Sequence, residues 1–240
     1  MHTSTTALGR DEGESLQSTI ADLAGALARG TSTDEVLVRL TAASLTLVPS
    51  ADFAKISTVS DRGLVSLAAT SRVTMMLDCA QQASRQGPCL DAMRARRTIR
   101  CDDLESDVRW PRFAARAATA GVHSVLSSPI SVPGDMRVAL SLFGSRTGAF
   151  GVESETVGAV LANHAAIALA HRERERQFKA ALATRDVIGQ AKGMVMERFG
   201  VDATQAFGML VAISRDTNTP VRDLAARAVD ARSRGGRRAR

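Results

Sequence analysis

Apolar positions recur along the chain in two rhythms, and where they switch divides it. "LQSTIADLAGALARG" (16–30) repeats apolar residues at helical spacing and stops at Gly30. "STDEVLVRLTAASLTLVPSA" (32–51) places Val36, Leu37, Leu40, Ala43 and Leu47 on one helical face, with Thr33 as its N-cap, Asp34 and Glu35 in its first turn and Pro49 as its stop. The period then falls to two. "ADFAKISTVS" (51–60) and "GLVSLAAT" (63–70) read as strands joined by the hairpin turn Asp61-Arg62-Gly63. "MLDCAQQASRQGPCLDAMRARR" (76–97) is helical on both sides of a Gly87-Pro88 break, "TIRC" (98–101) is a short strand, and "WPRFAARAATAG" (110–121) is a helix with proline near its first turn. "VHSVLSSPISV" (122–132) and "MRVALSLFG" (136–144) form a second hairpin across Pro133-Gly134-Asp135. From 151 to 200 almost no breaker occurs, which predicts one helix running out of one domain into the next.

This order predicts an α+β fold: an antiparallel sheet flanked by helices, a long connecting helix, and a C-terminal three-helix bundle. The expected boundaries are a disordered arm (1–14), a sheet domain (15–172), a helical connector (173–185), a helical domain (186–230) and a basic disordered tail (231–240). In the helical domain, Val187, Ile188, Ala191, Met194, Val195 and Phe199 have core spacing. Asp202 caps a second helix (201–216) with Ala206, Phe207, Leu210 and Ile213 on one face. A third (217–234) is capped by Thr219, with Pro220 in its first position and Val221, Leu224, Ala225 and Ala228 facing inward. One position resists the pattern. Gly193 sits mid-helix beside Lys192, where glycine costs roughly 0.5–1 kcal/mol relative to alanine.

Charge separates the same two regions. Residues 1–172 carry 17 basic and 17 acidic side chains, whereas 173–240 carry 14 and 8, so the whole net charge of +6 lies in the last 68 residues. Five arginines of the final ten, "ARSRGGRRAR", supply most of it and suit a polyanion. Aromatic residues are few (seven Phe, one Trp, no Tyr), which argues against an aromatic base-stacking platform. Cys79, Cys89 and Cys101 are too widely spaced for a zinc knuckle and read as reduced thiols in a cytosol. No apolar run reaches the roughly 18 residues of a membrane span, and the N-terminus lacks a signal-peptide core. A phosphate loop, a zinc-protease His pair, a nucleophile elbow and a dinucleotide glycine pattern are all missing, so no enzyme is expected.

"IGQAKGMVMERFGVDATQAFGMLVAISRDTNTPVRDLAARAV" (188–229) resembles an ANTAR domain, the three-helix RNA-binding module of bacterial transcription antiterminators. The resemblance rests on Ile188, Gln190, Ala191-Lys192-Gly193, Met196, Ala206-Phe207, Leu210, Ser214, Asn218 and Leu224-Ala225. The family often has arginine after the leucine of its second helix; here stand Val211-Ala212, with Arg215 one turn later. Upstream, "QGPCLDA" (86–92), "RWPRFAARAATAGVHSVLSSPI" (109–130) and "GAFGVESETVGAVLANHAAIALA" (148–170) resemble a GAF domain.

These resemblances imply a cytoplasmic regulator that binds paired stem-loops in nascent mRNA leaders, acts as a homodimer, touches RNA polymerase only indirectly and uses no membrane. Lys192 is the expected RNA contact, with Gly193 leaving the backbone open beside it. Gln190, Ser214 and Asn218 are candidates for bases or sugars, and Arg185, Arg198, Arg215 and Arg222 for phosphates. No cofactor is evident. The GAF family takes small ligands such as cyclic nucleotides and tetrapyrroles, but no motif selects one here. His123, His164 and His171 stand isolated as metal or haem ligands, and Cys89 or Cys101 senses oxidation only if a neighbour lowers its pKa. The alternative is a ligand- or redox-sensing GAF protein acting through protein contacts of its C-terminal helices.

Overall fold

The structure is a computed structural model that describes residues 31–61 and 63–237, with residues 17, 18, 21, 22, 25, 26 and 29 before them. The expected arm (1–14), Arg62 and the last three residues lie outside the described residues. Of the helix expected over 16–30, the described residues 17, 18, 21, 22, 25 and 26 are helical. The chain forms two compact units, Met1–Arg172 and Glu173–Arg240.

In the first unit, helix α1 (Thr33–Leu47) is capped by Ser32, not Thr33. The Ser32 hydroxyl accepts the Glu35 N–H at 3.3 Å, while Thr33 turns inward and donates to the Ala168 carbonyl. Either residue type can cap; extended backbone at position 32 decides which one does. α1 stops ahead of Pro49, whose ring disfavours helical backbone in the residue before it. Strands β1 (Phe53–Ser60) and β2 (Gly63–Ala69) pair as the expected hairpin, with a bulge at Ile56/Ser57. Helix α2 (Arg72–Ser84) starts four residues before the expected 76, at a Ser71 cap whose hydroxyl accepts the Val73 N–H. Gly87 ends the connection after it at φ 147°, where a Cβ would strike the Gln81 side chain. Pro88 opens α3 (Pro88–Ala95).

After β3 (Ile99–Cys101), Trp110 forms a corner ahead of α4 (Pro111–Thr119). Its indole N–H donates to Asp91, and Arg109 stacks 4.2 Å over its ring. β4 (Ser124–Ile130) and β5 (Val138–Gly144) complete a five-stranded antiparallel sheet in the order β2-β1-β5-β4-β3. One face is apolar: Ala54, Ile56, Leu126, Leu140 and Leu142 pack against α1 and against Leu161, Ala165 and Leu169 of the long helix α5 (Val152–Phe199). The other face carries Val125 and Phe143 against α2, α3 and α4.

The second unit comprises α5 from Glu173 onward, α6 (Ala203–Asp216) and α7 (Val221–Arg237). Asp202 caps α6 with a complete capping box, its carboxylate accepting the Thr204 and Gln205 N–H groups while the Gln205 side chain accepts the Asp202 N–H. The core is narrow: Ala191, Leu210 and Ala225 are buried, with Val187, Ile188, Val195, Val221 and Ala228 packed around them. Alanines at the centre let helices approach closely, since interaxial distance follows the contact side chains. Such a seam leaves no room for three residues expected inside. Phe199 is 56% exposed, Phe207 42% and Ile213 46%.

The turn between α6 and α7 corrects another expectation. The Thr219 hydroxyl donates to the Thr217 carbonyl and does not cap α7, whose first bond runs from the Leu224 N–H to the Pro220 carbonyl. α7 continues to Arg237, through most of the segment expected as a disordered tail. It does so through Gly235 and Gly236, each of which disfavours helix by about 0.8–1.0 kcal/mol relative to alanine.

Candidate functional site

Three of the predicted contacts meet in the second unit. Arg185 and Lys192 stand seven residues apart on α5, two turns along one face. With Arg222 of α7 they line an open groove of about 870 Å³. Ala181, Ile188 and Gly189 of α5 and Phe207 of α6 also line it, and Asp186 is its one acidic lining residue. Lys192 is half-buried, and among the described residues neither it nor Arg185 makes an ion pair. Arg222 pairs only with its exposed neighbour Asp223. A concave surface on which Arg185 and Lys192 lack ion-pair partners among the described residues concentrates positive potential and attracts anions.

The other candidates stand elsewhere. Gln190 is exposed roughly 160° around α5 from Lys192, given about 100° per residue. Gly193 lies roughly 100° from Lys192, and a Cβ added there meets nothing within 4 Å, so no contact of the described chain requires glycine. Arg198 and Arg215 are exposed in the last turns of α5 and α6, where a cation also offsets the helix dipole. Ser214 donates to the Thr219 carbonyl at 2.6 Å, and Asn218 adopts left-handed backbone with φ 49°. Both residues therefore shape the α6–α7 turn. Gly189, which does line the groove, escaped the sequence reading; its Cβ position is likewise open.

The first unit holds a polar cluster that strand periodicity hid. Lys55 of β1 is 0% exposed and pairs with Asp78 of α2. Asp78 also accepts from the Ser57 hydroxyl at 2.7 Å, and the Lys55 ammonium lies 5.2 Å from the centre of the Phe143 ring. Ser127 and Ser141 hydrogen-bond each other on the same sheet face, and Gln81 accepts the Cys89 N–H. Burial raises the Cys89 thiol to about 11. Burial and the Asp107 carboxylate, which accepts its S–H, push Cys101 up to about 12. Both shifts oppose the thiolate that an oxidation sensor needs. His123 lies 3.4 Å from Glu105, His164 bonds the Val160 carbonyl within α5, and His171 is exposed. Among the described residues no group of three or more His, Cys, Asp or Glu converges to hold a metal ion. Lys55 and Asp78 are satisfied by one another, whereas the Gln81 amide nitrogen beside them is buried without a hydrogen-bond partner among the described residues.

Residues 30–170 match the GAF domain family, and the chain belongs to it. Residues 176–229 match the ANTAR domain, so the protein is a GAF-ANTAR regulator: an RNA-binding antitermination module behind a sensor domain. This pairing of domains is a regulatory one. Among solved structures, the GAF domain of an Acinetobacter phosphoenolpyruvate-protein phosphotransferase superposes with a TM-score of 0.54 at 12% identity, covering 72% of this chain and 97% of that one. The phycoerythrobilin-bound GAF domain of a cyanobacterial phytochrome gives 0.54 at 14%, covering 67% and 97%. A free methionine-R-sulfoxide reductase from Neisseria meningitidis gives 0.52 at 15%, covering 66% and 91%. At such identities the likeness concerns the fold alone. None of the curated proteins matches the chain. Among the described residues no helix is long and apolar enough to cross a membrane.

Proposed function

We propose that the second unit binds paired stem-loops in nascent mRNA leaders and so keeps a terminator from forming, under control of the GAF unit. The observation that carries this reading is the convergence of Arg185, Lys192 and Arg222 on one groove. Loop nucleotides can enter such a groove, while phosphates on either side meet the cations. On this reading the protein acts in the cytoplasm beside the transcribing polymerase, which it affects only through the transcript. Two stem-loops call for two modules, hence a homodimer. Phe178 and Leu182, four residues apart and exposed on α5, supply an apolar strip for pairing helices. The input to the GAF unit is a small molecule or the dimerisation itself.

The test is a binding assay with a two-hairpin RNA, a single-hairpin control and duplex DNA. The expected result is preference for the double hairpin, and a loss of about 1–3 kcal/mol for Lys192→Ala. Equal binding of Lys192→Ala and the parent, or no preference for RNA over DNA, overturns the reading and leaves a sensor that works through protein contacts.

A further inference from the structure

Phe207 stands where the narrow core of the second unit cannot use it. Its neighbour Ala206 and Leu210 one turn on are buried in that unit, whereas Phe207 lines the groove that Arg185, Lys192 and Arg222 share. At 42% exposed, the ring is the one aromatic surface in the lining of that groove. Gly189 lines the same groove. Gly189 occupies a helix interior, where alanine is the better residue, yet a Cβ there would meet nothing within 4 Å. The chain itself gains no contact from that glycine. It gains an open space beside an aromatic ring, walled by three cations and one carboxylate.

We propose that this space takes an unstacked RNA loop base, its face against Phe207 and its edge over the bare backbone at Gly189. Arg185, Lys192 and Arg222 hold the phosphates on either side. The inference rests on the RNA reading above and deepens it. Charge selects the occupant: Arg185 and Lys192, without ion-pair partners among the described residues and beside one ring, suit a polyanion that carries flat rings, and favour it over an apolar helix. The volume, about 870 Å³, lies within the range of about 300–1,000 Å³ found for ligand sites. Stacking on a single ring is tolerant of sequence, so selectivity among bases comes from polar groups around it.

The experiment uses the full-length chain. A library of two-hairpin RNAs, randomised in both loops, is selected for binding, and the winning RNA is remade with one abasic residue at each loop position in turn. Phe207→Leu is expected to weaken binding of the intact winner roughly 5- to 150-fold, the range for loss of one stacked base, and Phe207→Tyr to restore it. That loss persists at high salt, unlike the loss from Lys192→Ala. One abasic position should weaken the parent yet leave Phe207→Leu little changed. Gly189→Ala should keep or raise the melting temperature while weakening RNA binding, which a purely structural glycine would not do. If Phe207→Leu and Gly189→Ala bind the winner as the parent does, or no loop position couples to Phe207, the stacking inference falls and the RNA reading stands. A selection that enriches no RNA sinks both.

Discussion

Lys55 and Asp78 form the most demanding contact in the first unit. Each is buried, so each is tolerable only with the other present. Removing one partner should therefore cost more than removing both. Lys55→Met or Asp78→Asn alone is expected to lower unfolding stability in urea by about 3–5 kcal/mol, and Lys55→Met with Asp78→Leu to recover most of it. Equal losses for the single and double variants would show that the pair contributes little beyond packing. Nothing local in the sequence announces this contact. In "ADFAKISTVS" a lysine between apolar residues reads as the solvent side of a strand, and its partner lies 23 residues on in a helix whose start was itself hidden. Met75 and Met76 are exposed there, so the apolar rhythm gave α2 a false beginning. Lys192 and Arg185 share the groove because seven residues on one helix return to the same face, whereas Phe207 comes from another helix, and helical spacing alone cannot tell a core edge from a groove lining.

Elements followed from the sequence wherever the signal was short-range. Both hairpins form between the strands that the period-two runs predicted, and the Asp202-x-x-Gln205 capping box closes where the aspartate predicted a start. That cap has a measurable role, because a core of three buried residues leaves α6 little else to anchor its first turn. Asp202→Ala should cost about 0.5–2 kcal/mol and fray the start of α6. Guanidinium unfolding followed by circular dichroism checks this; an unchanged midpoint would mean that packing alone sets the helix start. Sheet order was not legible. Strand patterns fix faces and turns, but the placement of β5 between β1 and β4 depends on pairings between distant parts of the chain, such as Phe53 opposite Phe143, that no window of sequence contains.

Across the whole molecule, charge and fold divide the work differently. All of the positive excess belongs to the second unit, and most of it to residues 231–240. Replacing the five arginines of that segment by glutamine should flatten the dependence of log K on log salt by up to about 0.7 for each phosphate they neutralise, with loop preference unchanged. Loss of preference would assign base reading to the segment and not to the groove. The first unit, neutral overall, is uneven in another way. One face of its sheet is sealed by aliphatic side chains under α1 and α5, while the other sets a lysine, an aspartate and three serines beside Phe143 and the apolar side chains of α2, α3 and α4. Buried charge adds little net stability where burial of methyl groups adds much, so the two sides resist opening unequally. Under native conditions the amide hydrogens of α2 and α3 should exchange with deuterium well before those of α1, as a separate cooperative step below global unfolding. On that outcome the sheet is a plate with one permanent side and one side that opens.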